Sequence, residues 1–447
     1  MKTNIIKFFL LFFTSAVFSQ AGHIMQGVGA VNMSMGGAST AQPLDISGAM
    51  QWNPATLSTF DSKIFKLDVG LFFSSPELSS SLPAGMLGAG APAVSGTTKD
   101  DRGMSPMPAI AMVWGKEGSK HTFGASAFGI SGFGVTFPEE ANNPFSATFN
   151  PTVNSNPINY PQAAGGFGHI ESDYMLLQVG LSYAYEISDK FSIGIQPNID
   201  YAALELAPNP TANPSAAGYP TTDKASAIGF GAQFGLFYDS GFGLKLGASY
   251  KTAQKFSELE FNNTYLDNST AKNKFQMDYP AILSLGFGYS TSDIDLAVDF
   301  RRVDYENTEG FAETGWTQTA SVAGFGWKNI SILSAGLQYK GIDKLPLRFG
   351  YTYSSNPIPE EVTFFNIPAT AVIKNAYQFG LSYIVNDSWK LDAVYHYGDS
   401  NGATEGQLFN PMAISPSNPN GALPGTSISY EMTTSMVQFG ISYTFNK

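Results

Sequence analysis

The chain is 447 residues long, with only 13% charged residues, about half the share usual for a soluble domain, and 14% aromatics beside 46 Gly. After residue 20 it has no run of about 18 apolar residues, which excludes a helical membrane protein, and its aromatic content excludes a disordered chain. A net charge of −12 argues against nucleic acid or anionic lipid bound through a basic patch, and the absence of Cys removes disulfides, thiolate metal sites and Cys nucleophiles.

At the N-terminus, Lys2 and Lys7 precede the apolar stretch Phe8 to Phe13, and Val17-Phe18-Ser19 places small residues near a cleavage point. This predicts a secretory signal peptide over 1–19, cut after Ser19 or Ala21, and export from the cytoplasm. Residues 20–60 carry no strand pattern and are too few for a core of their own. They are rich in Gly (Gly27, Gly29, Gly36, Gly37, Gly48) and Met (Met25, Met33, Met35, Met50). Ahead of the first strand, such a segment reads as a plug folded into a barrel, its adaptable Met side chains suiting an apolar pocket wall. A floppy leader is the alternative. Gly27-Val28-Gly29 only brushes the dinucleotide fingerprint, lacking the third Gly and a preceding strand.

From residue 61 to 447 the chain predicts an all-β, transmembrane antiparallel β-barrel. Phe65-Lys66-Leu67-Asp68-Val69-Gly70-Leu71 alternates apolar with polar or Gly, as do Ile294 to Phe300 and Val437 to Phe445. Fourteen such segments can be traced. Short turns at 116–120, 187–189, 239–241, 291–293, 341–343 and 385–387 alternate with long loops near 74–103, 138–170, 205–224, 252–275, 305–328, 355–374 and 399–429. A soluble sandwich has no reason to keep its long loops at one end; an outer-membrane barrel has short periplasmic turns and longer extracellular loops.

Six strands end in Gly-x-x-Tyr: Gly180 to Tyr183, Gly235 to Tyr238, Gly286 to Tyr289, Gly336 to Tyr339, Gly380 to Tyr383 and Gly440 to Tyr443, with Trp114 in the Tyr place of the second strand. Tyr shares parity with the apolar positions, which predicts an aromatic girdle at one membrane interface. Each Gly has the opposite parity and leaves room inside the barrel. In the third strand, Phe123, Ala125 and Ala127 share one parity, Phe128 and Ile130 the other, and Phe133, Val135 and Phe137 return to the first. Beside Gly129, Gly132 and Gly134, this predicts two phase slips and a kink; two short strands with a loop are the alternative.

The four His form no ligand-spaced cluster, and no nucleophile elbow or Walker-type loop is present, so neither an enzyme, a metal nor a cofactor is expected. His169 near Glu171 and Asp173 reads as a solvated loop rather than a cation site. Inward-facing Lys66, Asp68, Asp200, Asp299, Arg301, Arg348, Asp392 and His396 suit any porin-like lumen and do not discriminate. The apolar loop segments Leu82 to Val94 and 362–372 are expected to be exposed capture surfaces, or else to pack on one another.

Several motifs resemble the outer-membrane long-chain fatty acid transporters of the FadL family, which include importers of aromatic hydrocarbons. They are Gly27-x-Gly29, Met35-Gly36-Gly37-Ala38, Asp45-x-Ser47 and Asn53-Pro54-Ala55, then Gly247 to Lys251, and Leu347-Arg348-Phe349-Gly350-Tyr351 running into Asn356-Pro357-Ile358-Pro359. The resemblance spans nearly the whole mature chain and departs at Lys251, where the family usually has Arg, and in the Asn446-Lys447 tail. It implies fourteen strands, an N-terminal hatch and a kinked third strand that opens the wall sideways.

The expected function is passive import of a hydrophobic small molecule, most of all a long-chain fatty acid, across the outer membrane of a Gram-negative bacterium. Expected plug or gating residues are Gly36, Gly37, Asp45, Asn53, Pro54 and Ala55, with Asn53-Pro54 placed near the lateral gap by resemblance. Gly129, Gly132 and Gly134 mark the lateral-opening strand, and Met25, Met33, Met35, Phe128 and Ile130 are candidate ligand contacts. Expected partners are the ligand, outer-membrane lipid and lipopolysaccharide; a self-closing barrel needs no second copy. The rivals are a diffusion channel for hydrophilic solutes and a barrel serving a secretion complex.

Overall fold

Alternation of apolar and polar residues produces a closed barrel of 14 antiparallel strands. The computed structural model describes residues 22–445, so the predicted signal peptide and the Asn446-Lys447 tail lie outside the described residues. The strands are β1 (Lys63–Leu82), β2 (Met104–Trp114), β3 (His121–Phe137), β4 (Ile170–Ser188), β5 (Phe191–Ala207), β6 (Ala225–Asp239) and β7 (Leu244–Lys251). They continue as β8 (Ala281–Ser290), β9 (Ile294–Asp304), β10 (Ile330–Tyr339), β11 (Leu347–Ser354), β12 (Asn375–Ile384), β13 (Trp389–Asp399) and β14 (Ser427–Thr444). Each pairs with its sequence neighbours, and β14 pairs with β1 from Ile64↔Thr444 to Ser81↔Ser427, which closes the barrel.

The surface is inside out relative to a soluble protein. On β4, Val179 and Leu181 are exposed while Gln178 and Ser182 are buried, and Phe230, Phe379 and Phe439 are exposed likewise. Only a lipid solvent makes that arrangement favourable. Trp114, Tyr238, Tyr289, Tyr339 and Tyr383 are exposed at the short-turn ends of their strands, the predicted girdle. β1 continues to Leu82, past the predicted loop start at 74, because the polar Ser-rich stretch still pairs with Val94–Lys99.

Inside sits the plug, built from α1 (Ala30–Ser34), α2 (Ile46–Trp52) and a 3-10 turn (Pro54–Thr59), with α1 and α2 wholly buried. Asp45 caps α2 through Gly48 N–H at 2.9 Å. Gly36 and Gly37 turn the chain after α1 at φ of +67° and +75°. Asn53 caps the 3-10 turn, with Pro54 in its first turn.

The wall accepts the plug through glycine. A side-chain carbon at Gly194 or Gly235 would collide with Asn53–Ala55, one at Gly247 or Gly286 with Thr40–Ala41, and one at Gly336, Gly350 or Gly380 with Ser34–Gly36. Four of the six repeat glycines thus meet the plug. The other two face wall side chains, Gly180 against Gln196 and Gly440 against Asp68.

Residues 362–372 are not exposed, which corrects the expectation of an outer capture surface. The 3-10 segment Glu360–Ala369 buries Val362, Phe364, Phe365 and Ile367 in a core shared with Phe325 and Phe409, because such rings gain more from each other than from water. In the 82–94 loop, Met86 stays exposed at 41%.

Gly247→Val is expected to push Thr40 off the wall and destabilise the protein by about 1–3 kcal/mol through overpacking. Heat-modifiable migration on a gel tests that the barrel still forms, and raised ion conductance in a planar bilayer reports the displaced plug.

Candidate functional site

One strand breaks the regularity of the wall. Along β3, Thr122, Gly124, Ser126, Phe128 and Ile130 face inward; the register against β4 then shifts between Gly129 and Ser131, after which Val135 and Phe137 face inward. There is one bulge, at Ile130, and not two slips. Between Ala127 and Phe128 the strand is regular; the apolar residues change face there because the lumen turns from polar to dry, and Phe128 and Ile130 join the buried core.

The bulge unhooks β3 from β2. Their pairing stops at Ala109↔Phe128, while Met104–Pro108 remain paired with β1 and Ser131–Phe137 with β4. Pro106 and Pro108 carry no N–H, which suits a strand stretch with one partner missing. The freed edge of β3 is taken by the start of the plug. Met25 N–H donates to Ile130 O at 3.0 Å, Gly132 N–H to His23 O at 3.2 Å, and Ser131 Oγ to His23 O at 2.9 Å. The His23 ring stacks on Phe311 at 4.7 Å and meets the Tyr305 hydroxyl through Nδ1 at 2.8 Å. Burial among these rings pushes the imidazole below its ordinary range, so it stays neutral.

Above, the opening is closed by the segment just before β2. Asp101 N–H donates to Thr136 O at 2.8 Å, and Thr136 N–H to Asp100 Oδ1 at 2.5 Å. The Arg102 side chain crosses β3 over Gly134, where any side chain would collide with it, to reach Ser172 O at 2.7 Å and the Asp173 carboxylate.

Between these limits lies a cavity of about 340 Å³, within the range of small-molecule sites. Its lining comes from both faces of the wall: Met107, Tyr174 and Leu176 point inward, Met104, Pro106, Met175 and Leu177 outward. The cavity therefore runs through the barrel wall. His23 and Met25 line it from the plug, and Thr370 and Ala371 from the inner loop.

Gly129, Gly132 and Gly134 all line this cavity, and of the five candidate ligand contacts only Met25 does. Met33 packs with Ala30, Val394 and Met436, and Met35 with Ala38 and Ala297. Asn53-Pro54-Ala55 lies against Gly194 and Gly235 of β5 and β6, with Asn53 Nδ2 donating to Leu236 O at 3.0 Å and Thr40 O at 2.8 Å, and so is not beside the gap. Gly36 meets Gly350 and the Tyr351 backbone on β11. Sequence reasoning missed His23, Arg102, Met104, Met107 and Tyr174. The Pro106-x-Pro108 spacing inside an alternating strand was the available signal for a missing ladder.

Two charged clusters hold the plug. Lys66 Nζ lies 2.5 Å from Asp45 Oδ2, 3.2 Å from Asp392 and 3.7 Å from Asp68, all buried. Asp299 accepts the N–H groups of Ser39 and Thr40 at 2.9 Å and pairs with Arg301 at 2.5 Å, while Arg301 bonds Gly37 O at 2.6 Å and covers the Trp52 ring at 3.7 Å. Among the described residues, no group of three His, Cys, Asp or Glu could hold a metal ion.

A family model described as outer membrane protein transport protein (OMPP1/FadL/TodX) matches residues 12–446. The crystal structure of the P. putida toluene transporter TodX superposes with a TM-score of 0.66 at 18% identity, covering 94% of this chain and 99% of its own. A Pseudomonas aeruginosa FadL homologue gives 0.70 at 15% identity, covering 95% and 100%. The Ralstonia pickettii toluene transporter TbuX gives 0.61 at 17%, covering 94% and 99%. At these identities the likeness shows a common fold. No curated protein sequence matches the chain.

Lys66→Met leaves buried Asp45 and Asp68 without their cation, Asp392 keeping Lys390 at 3.7 Å, and is expected to cost about 3–5 kcal/mol, as for a buried charge losing its partner. Asp45→Asn leaves Lys66 with Asp68 and Asp392 and is expected to cost less, about 1–3 kcal/mol. Urea unfolding in lipid vesicles, followed by Trp fluorescence, ranks the two.

Proposed function

The chain belongs to the FadL/TodX family of outer-membrane transport proteins, which are channels and not enzymes, and from that premise we propose that it imports long-chain fatty acids and delivers them sideways into the bilayer. The observation that carries this reading is the cavity through the wall at the Ile130 bulge. An alkyl chain leaving by that route stays out of water, where exposure costs about 0.8 kcal/mol per CH₂.

The path begins among the outer loops, where Phe167, Tyr219, Trp316, Phe364 and Pro368 line an apolar crease. Pro368 O accepts the Ser172 hydroxyl at 2.5 Å, and the next residues, Thr370 and Ala371, roof the wall cavity. Withdrawal of the His23–Met25 leader enlarges the cavity floor, so the plug acts as the gate. The downhill gradient drives the step, and a single copy suffices.

A second reading is import of monoaromatic hydrocarbons. It is favoured by TodX and TbuX being toluene transporters and by the CymD monoaromatic hydrocarbon channel, which has a TM-score of 0.58 at 15% identity. A free diffusion channel for hydrophilic solutes is disfavoured by the buried plug.

Because Gly129 pairs with Leu177 and Ser131 with Leu176, deleting Ile130 leaves a continuous ladder in β3 and lets it approach β2. In cells lacking the gene, the wild-type chain is expected to restore uptake of labelled oleate and the Ile130 deletion to lose most of it. Full uptake through the deletion variant rejects lateral exit. Uptake of toluene but not oleate selects the second reading. Unchanged uptake after both Asn53→Ala and removal of the plug rejects gating.

A further inference from the structure

The wall cavity is mostly apolar with scattered neutral polar groups such as Ser74, Ser105 and Ser131, and its charged residues sit at the upper rim. There Arg102 is the one cation in the lining, and its partner Asp173 lines the cavity beside it. Asp173 does not depend on Arg102 alone. Its other carboxylate oxygen is bound by Lys224, which also lies 3.5 Å from Glu205. Asp100 is engaged through Oδ1 with Thr136 N–H and through Oδ2 with Arg102 N–H at 3.1 Å. The guanidinium is meanwhile fixed in place by Ser172 O. The bonds to Ser172 and Asp173 occupy two of its five N–H donors.

We propose that Arg102 reads the headgroup of the transported molecule: an amphiphile's carboxylate takes Asp173's place on the guanidinium, Lys224 keeps Asp173 paired, and the alkyl tail lies along Met104, Met107, Phe133, Met175 and Leu177. This rests on the import reading above and deepens it by naming the residue that tells a monocarboxylate from a neutral molecule of the same chain length. A carboxylate enters a dry cavity only where a cation meets it, and the planar fork of Arg matches its two oxygens. Partner exchange is cheap here because neither Asp173 nor Arg102 is left alone. With the head held at the rim by Arg102, itself fixed by Ser172 O, the tail lies in the wall opening beside Met175 and Leu177, which share the outward face of Asp173.

The test is equilibrium binding of oleate and of oleyl alcohol, equal in chain length, to the purified full-length protein in detergent. Arg102→Gln is expected to lower oleate affinity relative to oleyl alcohol by about tenfold or more, the loss of a charge-assisted pair. Asp173→Asn is expected to raise that ratio, because it removes the competitor. A ratio unmoved by Arg102→Gln, in a variant that keeps heat-modifiable migration, makes Arg102 a strap across the opening and overturns the proposal. Wild-type protein that binds the alcohol but not oleate overturns it while leaving hydrophobic import standing. Wild-type protein that binds neither overturns the import reading, and this proposal with it.

Discussion

A backbone N–H or C=O inside a bilayer has no water to bond, so every one must be paired by the protein itself. That constraint makes the opening between β2 and β3 a joint product of three elements. The Ile130 bulge turns the edge of β3 away from β2. The His23–Met25 leader takes the bonds β2 gives up, and Asp100 and Asp101 satisfy Thr136 at the top. A wall opening without the leader would leave Ile130 O and Gly132 N–H unpaired at membrane depth. Plug and opening are therefore one device, and the residues that satisfy the wall also form the floor of the cavity.

The plug is attached unequally along its length. Its body is bound to the wall by Asp45 with Lys66, by Asp299 and Arg301, and by close backbone approach at the wall glycines. The leader is joined to β3 by three hydrogen bonds, each worth about 1 kcal/mol net, together with the His23 ring contacts. Local opening starts where the fewest interactions must break. Fewer interactions hold the leader than hold the body of the plug.

Charge in this molecule is placed for attachment. Lys66 serves three aspartates of which only Asp45 belongs to the plug, so the wall network of Lys66, Asp68 and Asp392 is paired on its own. The same economy appears at the rim, where Asp173 is shared between Arg102 and Lys224. In both places a charged group has more than one partner, so removing one of them does not strand a buried charge.

The sequence by itself determined the barrel: the period of two, the outward Tyr positions and the alternation of short and long connections each report the medium on one face of a strand. It also placed Gly129, Gly132 and Gly134 at the opening, because glycine in a strand marks close approach whatever the approaching group is. Tertiary structure decided the rest. Met25, Met33 and Met35 look alike in sequence, yet only Met25 reaches the cavity, since α1 and its C-terminal cap carry the other two against β13 and β9. Residues 362–372 read as a greasy surface until Phe325 and Phe409 arrive from distant loops to cover them. Arg102 carried no signal, because its meaning depends on Asp173 across the bulge. Strand faces follow from local alternation, whereas partners brought together by barrel closure depend on the whole chain.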